Sequence, residues 1–137
     1  MSRLLKISEA ASIGLHAMTY LASKNTHKPV STARLAADLR VSEAHLSKIV
    51  QRLVKAGLLK SVRGPSGGVL ITKPADEITL LDIYGAIDGP VDIPRCILSQ
   101  EVCKPGECIF GGLLESVSRQ VESYLSRTKL SELTGVF

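Results

Sequence analysis

The run Gly64-Pro65-Ser66-Gly67-Gly68 constrains this chain more than any other feature, because it sits between two short β-rich stretches. These are Leu58-Leu59-Lys60-Ser61-Val62-Arg63 and Val69-Leu70-Ile71-Thr72. Gly and Pro at this density stop helices and close hairpins: glycine reaches positive φ freely, and proline presets the first turn residue. Upstream, two helical patterns meet at a brief turn around Arg40-Val41. The first starts at Ser31 and buries Leu35, Ala36 and Leu39. The second is capped by Ser42, carries Leu46, Ile49, Val50 and Leu53 on one stripe, and ends near Gly57. Helix, turn, helix, hairpin is the order of a winged helix-turn-helix.

The flanking segments also read as helices. Ile7, Ala10, Ala11, Leu15, Met18 and Leu21 follow helical spacing, with Ser8 as N-cap and Glu9 in the first turn. Lys24-Asn25-Thr26-His27-Lys28-Pro29 reads as a loop. Thr79 and Asp82 form a capping box ahead of a helix bearing Leu80, Ile83, Tyr84 and Ile87, which Gly89-Pro90 ends. A cysteine-bearing loop spans 91–108. A last helix over 109–127 carries Phe110, Leu114, Val117, Val121 and Tyr124, a stripe too short to stand alone. It therefore packs against a partner subunit or its own domain. The predicted fold is mainly α with a small β-hairpin wing. Residues 1–75 form the winged helix-turn-helix with its N-terminal helix, and residues 76–137 form a linker helix, sensor loop and dimerisation helix.

Charge divides the chain at the same place. Residues 1–73 hold 12 Lys/Arg against 3 Asp/Glu, whereas residues 74–137 hold 5 against 10. The basic half suits a polyanion and the acidic half does not. Eight of the twelve basic residues lie between positions 31 and 73, on the proposed helix-turn-helix and wing. No apolar run approaches the roughly 20 residues that span a bilayer. The opening Met-Ser-Arg-Leu-Leu-Lys lacks the apolar core of a secretory signal, so no membrane partner and a cytoplasmic location are expected.

The second helix of the pair presents Ala44, His45, Ser47, Lys48, Gln51, Arg52 and Lys55 opposite its apolar stripe, with Ser42 at its start. Ser, Gln, His and Lys near a helix N-terminus can reach base edges in the major groove, while Arg52 and Lys55 suit phosphates. Arg63 at the base of the wing, with Gly64, Pro65, Ser66 and Gly67, can enter the minor groove. Double-stranded DNA is the expected partner.

Cys96, Cys103 and Cys108 all fall in the one loop, with six and four residues between them. An odd number of clustered thiols in a reducing compartment argues for metal or redox chemistry rather than a disulfide framework. Thiolates are the preferred protein ligands of iron–sulfur clusters and of zinc. No nucleophile–base set, phosphate loop or catalytic carboxylate pair emerges, so no enzyme is expected.

The stretch from Leu35-Ala36 through Val41-Ser42, Ile49-Val50-Gln51-Arg52-Leu53 and Ala56-Gly57-Leu58-Leu59 to Arg63-Gly64-Pro65-Ser66-Gly67-Gly68 resembles the IscR/NsrR/CymR-like family of bacterial winged helix-turn-helix transcription regulators. The likeness runs on through Lys73-Pro74-Ala75 and Ile78-Thr79-Leu80. It implies a homodimeric regulator, most often a repressor, whose last helix crosses its counterpart and whose operator is an imperfect palindrome. It also implies that Cys96, Cys103 and Cys108 hold a 2Fe–2S or 4Fe–4S cluster sensing redox state, nitric oxide or iron, although their spacing is less even than the family's. Where some members place a fourth ligand, a histidine, this chain has Gly111; others use an acidic residue of the partner near the N-terminus, which matches Glu9. Glu9 equally suits the dipole of the helix it begins. His16, His27 and His45 read as surface or DNA-face residues. The alternatives are a cluster-free repressor controlled by a partner protein, a small molecule, zinc or thiol oxidation, and a winged-helix module used for protein docking.

Overall fold

The computed structural model of the protein describes residues 7–24, 27–93 and 96–137. Asn25 and Thr26 of the predicted loop, and Pro94 and Arg95 of the cysteine loop, lie outside the described residues. The elements run α1 (Glu9–Lys24), α2 (Thr32–Leu39), α3 (Glu43–Lys55), β1 (Leu59–Val62), β2 (Gly68–Ile71), α4 (Leu80–Asp88) and α5 (Leu113–Arg127). Short 3-10 turns lie at Ala75–Glu77 and Leu130–Leu133.

The predicted caps form as the side chains dictate. Ser31 Oγ accepts the Arg34 N–H and Ser42 Oγ accepts the His45 N–H, satisfying donors that each helix start leaves open. Thr79 and Asp82 close a reciprocal capping box on α4. At the end of α3, Gly57 takes φ 81°, its N–H bonds the Val54 carbonyl, and the Leu58 N–H bonds the Leu53 carbonyl. That pair of bonds is a Schellman motif, which turns the chain directly into β1.

β1 and β2 pair antiparallel with Leu59 opposite Ile71 and Val62 opposite Gly68. Pro65 stands second in the turn closed by the Gly67 N–H on the Gly64 carbonyl. Val30 adds a third rung, its N–H and carbonyl both bonding Val69. The sequence reading ended its loop at Pro29 and missed this rung, since one bridging residue leaves no periodic signal. Gly68 is obligatory here: a Cβ would collide with the Val30 carbonyl. Gly68→Ala is expected to destabilise the protein by about 1–3 kcal/mol through this overlap. Urea denaturation checks it; an unchanged midpoint refutes the clash.

One hydrophobic cluster joins both halves of the chain. Met18, Leu35, Leu46, Ile49, Leu53, Leu59, Ile78, Ile83 and Leu130 are all essentially inaccessible. α1 and α4 cross at Gly14, where any Cβ would meet the Ile87 side chain. Ser8 caps α1 and also bonds Asp88 at the end of α4, through its N–H at 3.1 Å and its Oγ at 2.6 Å. The Leu130–Leu133 turn is held by the Leu130 N–H on the Ile78 carbonyl. The charge division thus does not mark a break in the core.

Tyr20 lies in this core with 6% exposure, and its hydroxyl donates to Asp38. That hydrogen bond, and then burial, hold its phenol above the usual value of 10.0. A pKa raised on folding favours the protonated form, so this stabilisation is complete below about pH 10 and is lost as pH rises through the folded value. Melting curves between about pH 8 and 11 are expected to fall more steeply for the native protein than for Tyr20→Phe. Parallel curves would refute the linkage.

Candidate nucleic-acid interface and cysteine site

α3 sets its outward-facing residues by simple periodicity. With Leu46, Ile49, Val50 and Leu53 buried, the 3.6-residue repeat turns Ala44, Lys48, Gln51 and Lys55 outward, and all four are exposed. Ser47 and His45 flank this strip and are half-buried. Glu43 is the only acid on α3. Arg63, Gly64, Pro65 and Ser66 project on the exposed wing, and a Cβ on Gly67 would strike the Val62 carbonyl.

Arg52 is placed differently from its neighbours. Its Nη1 donates to the Ile87 carbonyl at 3.2 Å, tying α3 to the last turn of α4. The sequence assigns Arg52 to a phosphate; its side chain stays exposed, and the bond to Ile87 is an additional contact that a helix wheel does not reveal, since a wheel shows which side a residue faces and not which carbonyl lies beside it. The last turn of α4 leads directly into the cysteine loop.

In that loop, Lys104-Pro105-Gly106-Glu107 makes a turn closed by the Glu107 N–H on the Lys104 carbonyl, with Gly106 at φ 81°. Pro second and a positive-φ Gly third are the type II pattern. Cys103 and Cys108 therefore flank one tight turn. Together with Cys96 they line a cavity of about 530 Å³, which Glu101 and Glu107 also line. The thiols are free; Cys103 and Cys108 are exposed and Cys96 is half-buried. Cys96 Sγ accepts the Leu98 N–H and Cys108 Sγ accepts the Phe110 N–H, both at 3.4 Å. Three thiols around one cavity, two of them accepting backbone N–H groups, match the donor chemistry of an iron–sulfur centre. Among the described residues no three His, Cys, Asp or Glu groups stand ready to hold a single metal ion. Glu9 is exposed at the start of α1 and does not line this cavity within its own chain. Glu101 and Glu107 are not among the ligands expected from the sequence, since isolated acids in a polar loop carry no pattern.

α5 begins at Leu113, four residues later than expected, because Gly111 at φ 59° and Gly112 delay it. Phe110 consequently lies in a turn before the helix. Leu114 and Leu125 are buried and Val121 packs on the core, all turned towards the chain's own body. Val117 is half-buried. Leu113 and Tyr124 stay 46% and 51% exposed beside a groove lined by Ser116, Gln120 and Arg127. A single apolar stripe does not distinguish a partner from the chain's own core: of the five stripe residues, Leu114 and Val121 face the chain's own body and Tyr124 stays exposed.

A helix-turn-helix with a hairpin wing, carrying an exposed basic strip on its second helix, defines a winged-helix DNA-binding transcription regulator and not an enzyme. Residues 7–135 match the Rrf2 family, described as "Iron-dependent Transcriptional regulator". The chain belongs to that family. It is 32% identical over 132 residues to the HTH-type transcriptional regulator IscR of Photorhabdus laumondii, covering 96% of this chain and 80% of that one. Its fold matches that of CymR, the global cysteine regulator of B. subtilis, with TM-score 0.79 and 33% identity over 97% of this chain and 98% of that one. It also matches IscR of T. potens, with TM-score 0.71 and 28% identity over 94% of this chain and 85% of that one. Among the described residues no helix is long and apolar enough to cross a membrane.

Proposed function

We propose that the protein is a homodimeric repressor whose operator binding is set by an iron–sulfur cluster held on Cys96, Cys103 and Cys108. The observation that carries this reading is the convergence of the three thiols on one cavity, two of them already accepting backbone N–H groups. A bound 2Fe–2S or 4Fe–4S centre supplies a group that reacts with oxidants and nitric oxide. Leu98 and Phe110 N–H groups stabilise the thiolates of Cys96 and Cys108 and orient them. Glu9 of a second copy is the proposed fourth ligand, with Glu101 and Glu107 the carboxylates nearer by. Restraint of the loop reaches the recognition helix through α4, because the Ile87 carbonyl holds Arg52 of α3. The second copy meets α5 on its outer face, at Leu113, Val117 and Tyr124. Paired α3 helices then lie about 34 Å apart and read an imperfect palindrome.

Anaerobic purification tests the reading. The expected protein is brown, with visible absorption, iron and acid-labile sulfide in matching amounts, and a dimer's mass by light scattering. Colourless protein without iron would refute it. The second reading, a cluster-free repressor, is favoured by the absence, among the described residues, of three donor groups placed to hold a single metal ion; zinc bound by the three thiols is a variant of it. Stoichiometric zinc, or a metal-free protein that binds its operator fully, would establish that reading instead.

A further inference from the structure

A second cavity lies where α1 meets the turn of the helix-turn-helix. It has a volume of about 300 Å³ and is lined by Ile13, His16, Asp38, Leu39, Arg40 and Val41, with Phe137 at its rim. We propose that this cavity is an effector site for an apolar α-amino acid, whose carboxylate pairs with Arg40 and whose ammonium faces Asp38.

Arg40 is the feature that singles the cavity out. It occupies the left-handed position after α2, at φ 58° and ψ 42°, and is the one non-glycine residue at positive φ among the described residues. Its N–H bonds the Ala37 carbonyl and the Val41 N–H bonds the Ala36 carbonyl, completing a Schellman motif. Glycine is the usual occupant of that position, as it is at Gly57 after α3. A side chain kept at a strained site points to a use for it. Among the described residues, the Arg40 guanidinium makes no hydrogen bond or ion pair, so its donors remain open for a carboxylate.

The opposite pole stands two residues away. Asp38 Oδ2 accepts the Tyr20 hydroxyl and lies 3.8 Å from Arg34 Nε, which leaves Oδ1 for a ligand. His16 Nδ1 lies 2.6 Å from the Ser12 carbonyl. A carbonyl oxygen only accepts, so Nδ1 donates in that contact and Nε2 is the ring atom left to meet a ligand. Ile13, Leu39, Val41 and Phe137 supply the apolar wall, and Phe137 is itself seated edge-on against Tyr20 at 5.6 Å. Neighbouring charges of opposite sign beside an apolar wall complement a zwitterion with an aliphatic side chain, and the volume suits a ligand of that size. Because Val41 leads directly to Ser42, the cap of α3, occupancy braces the recognition helix against α1 and links the ligand to DNA affinity.

The test uses the full chain, with amide NMR shifts read during titration. L-leucine is expected to move the Ile13, His16, Arg40 and Val41 resonances saturably. Isocaproate, which lacks the ammonium, and isoamylamine, which lacks the carboxylate, are each expected to bind at least about tenfold more weakly. Arg40→Gly is expected to fold normally, because glycine relieves the backbone strain, and to lose at least about tenfold in leucine affinity. Asp38→Asn, which keeps an acceptor for Tyr20, is expected to weaken leucine and leave isocaproate unchanged. No saturable shift by about 10 mM leucine, or unaltered binding by Arg40→Gly, would overturn the site. Equal binding of isocaproate and leucine would reduce it to an anion site and overturn the amino-acid assignment.

Discussion

Replacing Lys48 and Gln51 together with alanine is expected to lower affinity for operator DNA by about 100-fold, with little change in stability. Both side chains are exposed on the outward strip of α3. Alanine is a better helix former than either, so the helix is retained. The two losses differ in kind. Lys48 would bring a positive charge into the groove beside the base edges, and its removal takes one cation from the interface, which is expected to lower the slope of log K against log salt by up to about one unit. Gln51 offers an amide able to pair with an adenine edge, and its removal is expected to relax base preference with the salt slope unchanged. Fluorescence anisotropy over a salt series, with operator and scrambled duplexes, separates the two. A double variant that binds the operator as tightly as the native protein would exclude this face of α3 from the interface.

The second large effect is expected at the cysteine loop. Cys103→Ala is expected to reduce iron retention by at least about 100-fold, since removing a direct ligand costs more than the 10–100-fold typical of groups that merely support one. Cys103 is exposed at the edge of the Lys104–Glu107 turn and contributes little to the core. The unfolding free energy is therefore expected to change by no more than about 0.5 kcal/mol. Iron and sulfide analysis of the anaerobic variant, beside a urea titration, reads both quantities. Full iron content in the variant would remove Cys103 from the ligand set.

Comparison with CymR and with IscR poses the same question from outside. The chain shares its fold with a regulator of each name, so the fold alone does not say whether the three thiols of this chain hold a cluster. The discriminating chemistry lies in the loop between α4 and α5, at the three thiols and the acids beside them.

Much of this architecture is legible in the residues themselves, because its signals are local. Ser31, Ser42, Thr79 and Gly57 mark helix ends by hydrogen bonds to backbone groups within a few residues, and the Gly64–Gly68 turn needs only its own glycines and proline. The exposed strip of α3 follows from counting 3.6 residues per turn. Contacts between distant residues carry no such signal. Val30 joining the wing, Arg52 reaching the Ile87 carbonyl, and the inward turn of Leu114 and Val121 each depend on what another segment places nearby. The cavity at Arg40 is of this second kind, since its walls come from α1, the end of α2 and Phe137. Sequence determined the helix-turn-helix, the wing, the basic strip and the thiol-bearing loop, all of which follow from short-range hydrogen bonding and periodicity. Only the tertiary structure decided which face of α5 stays outside, how α3 is linked to the cysteine loop, and where the charged pair at the turn opens onto a cavity, because those outcomes are set by packing across the whole chain.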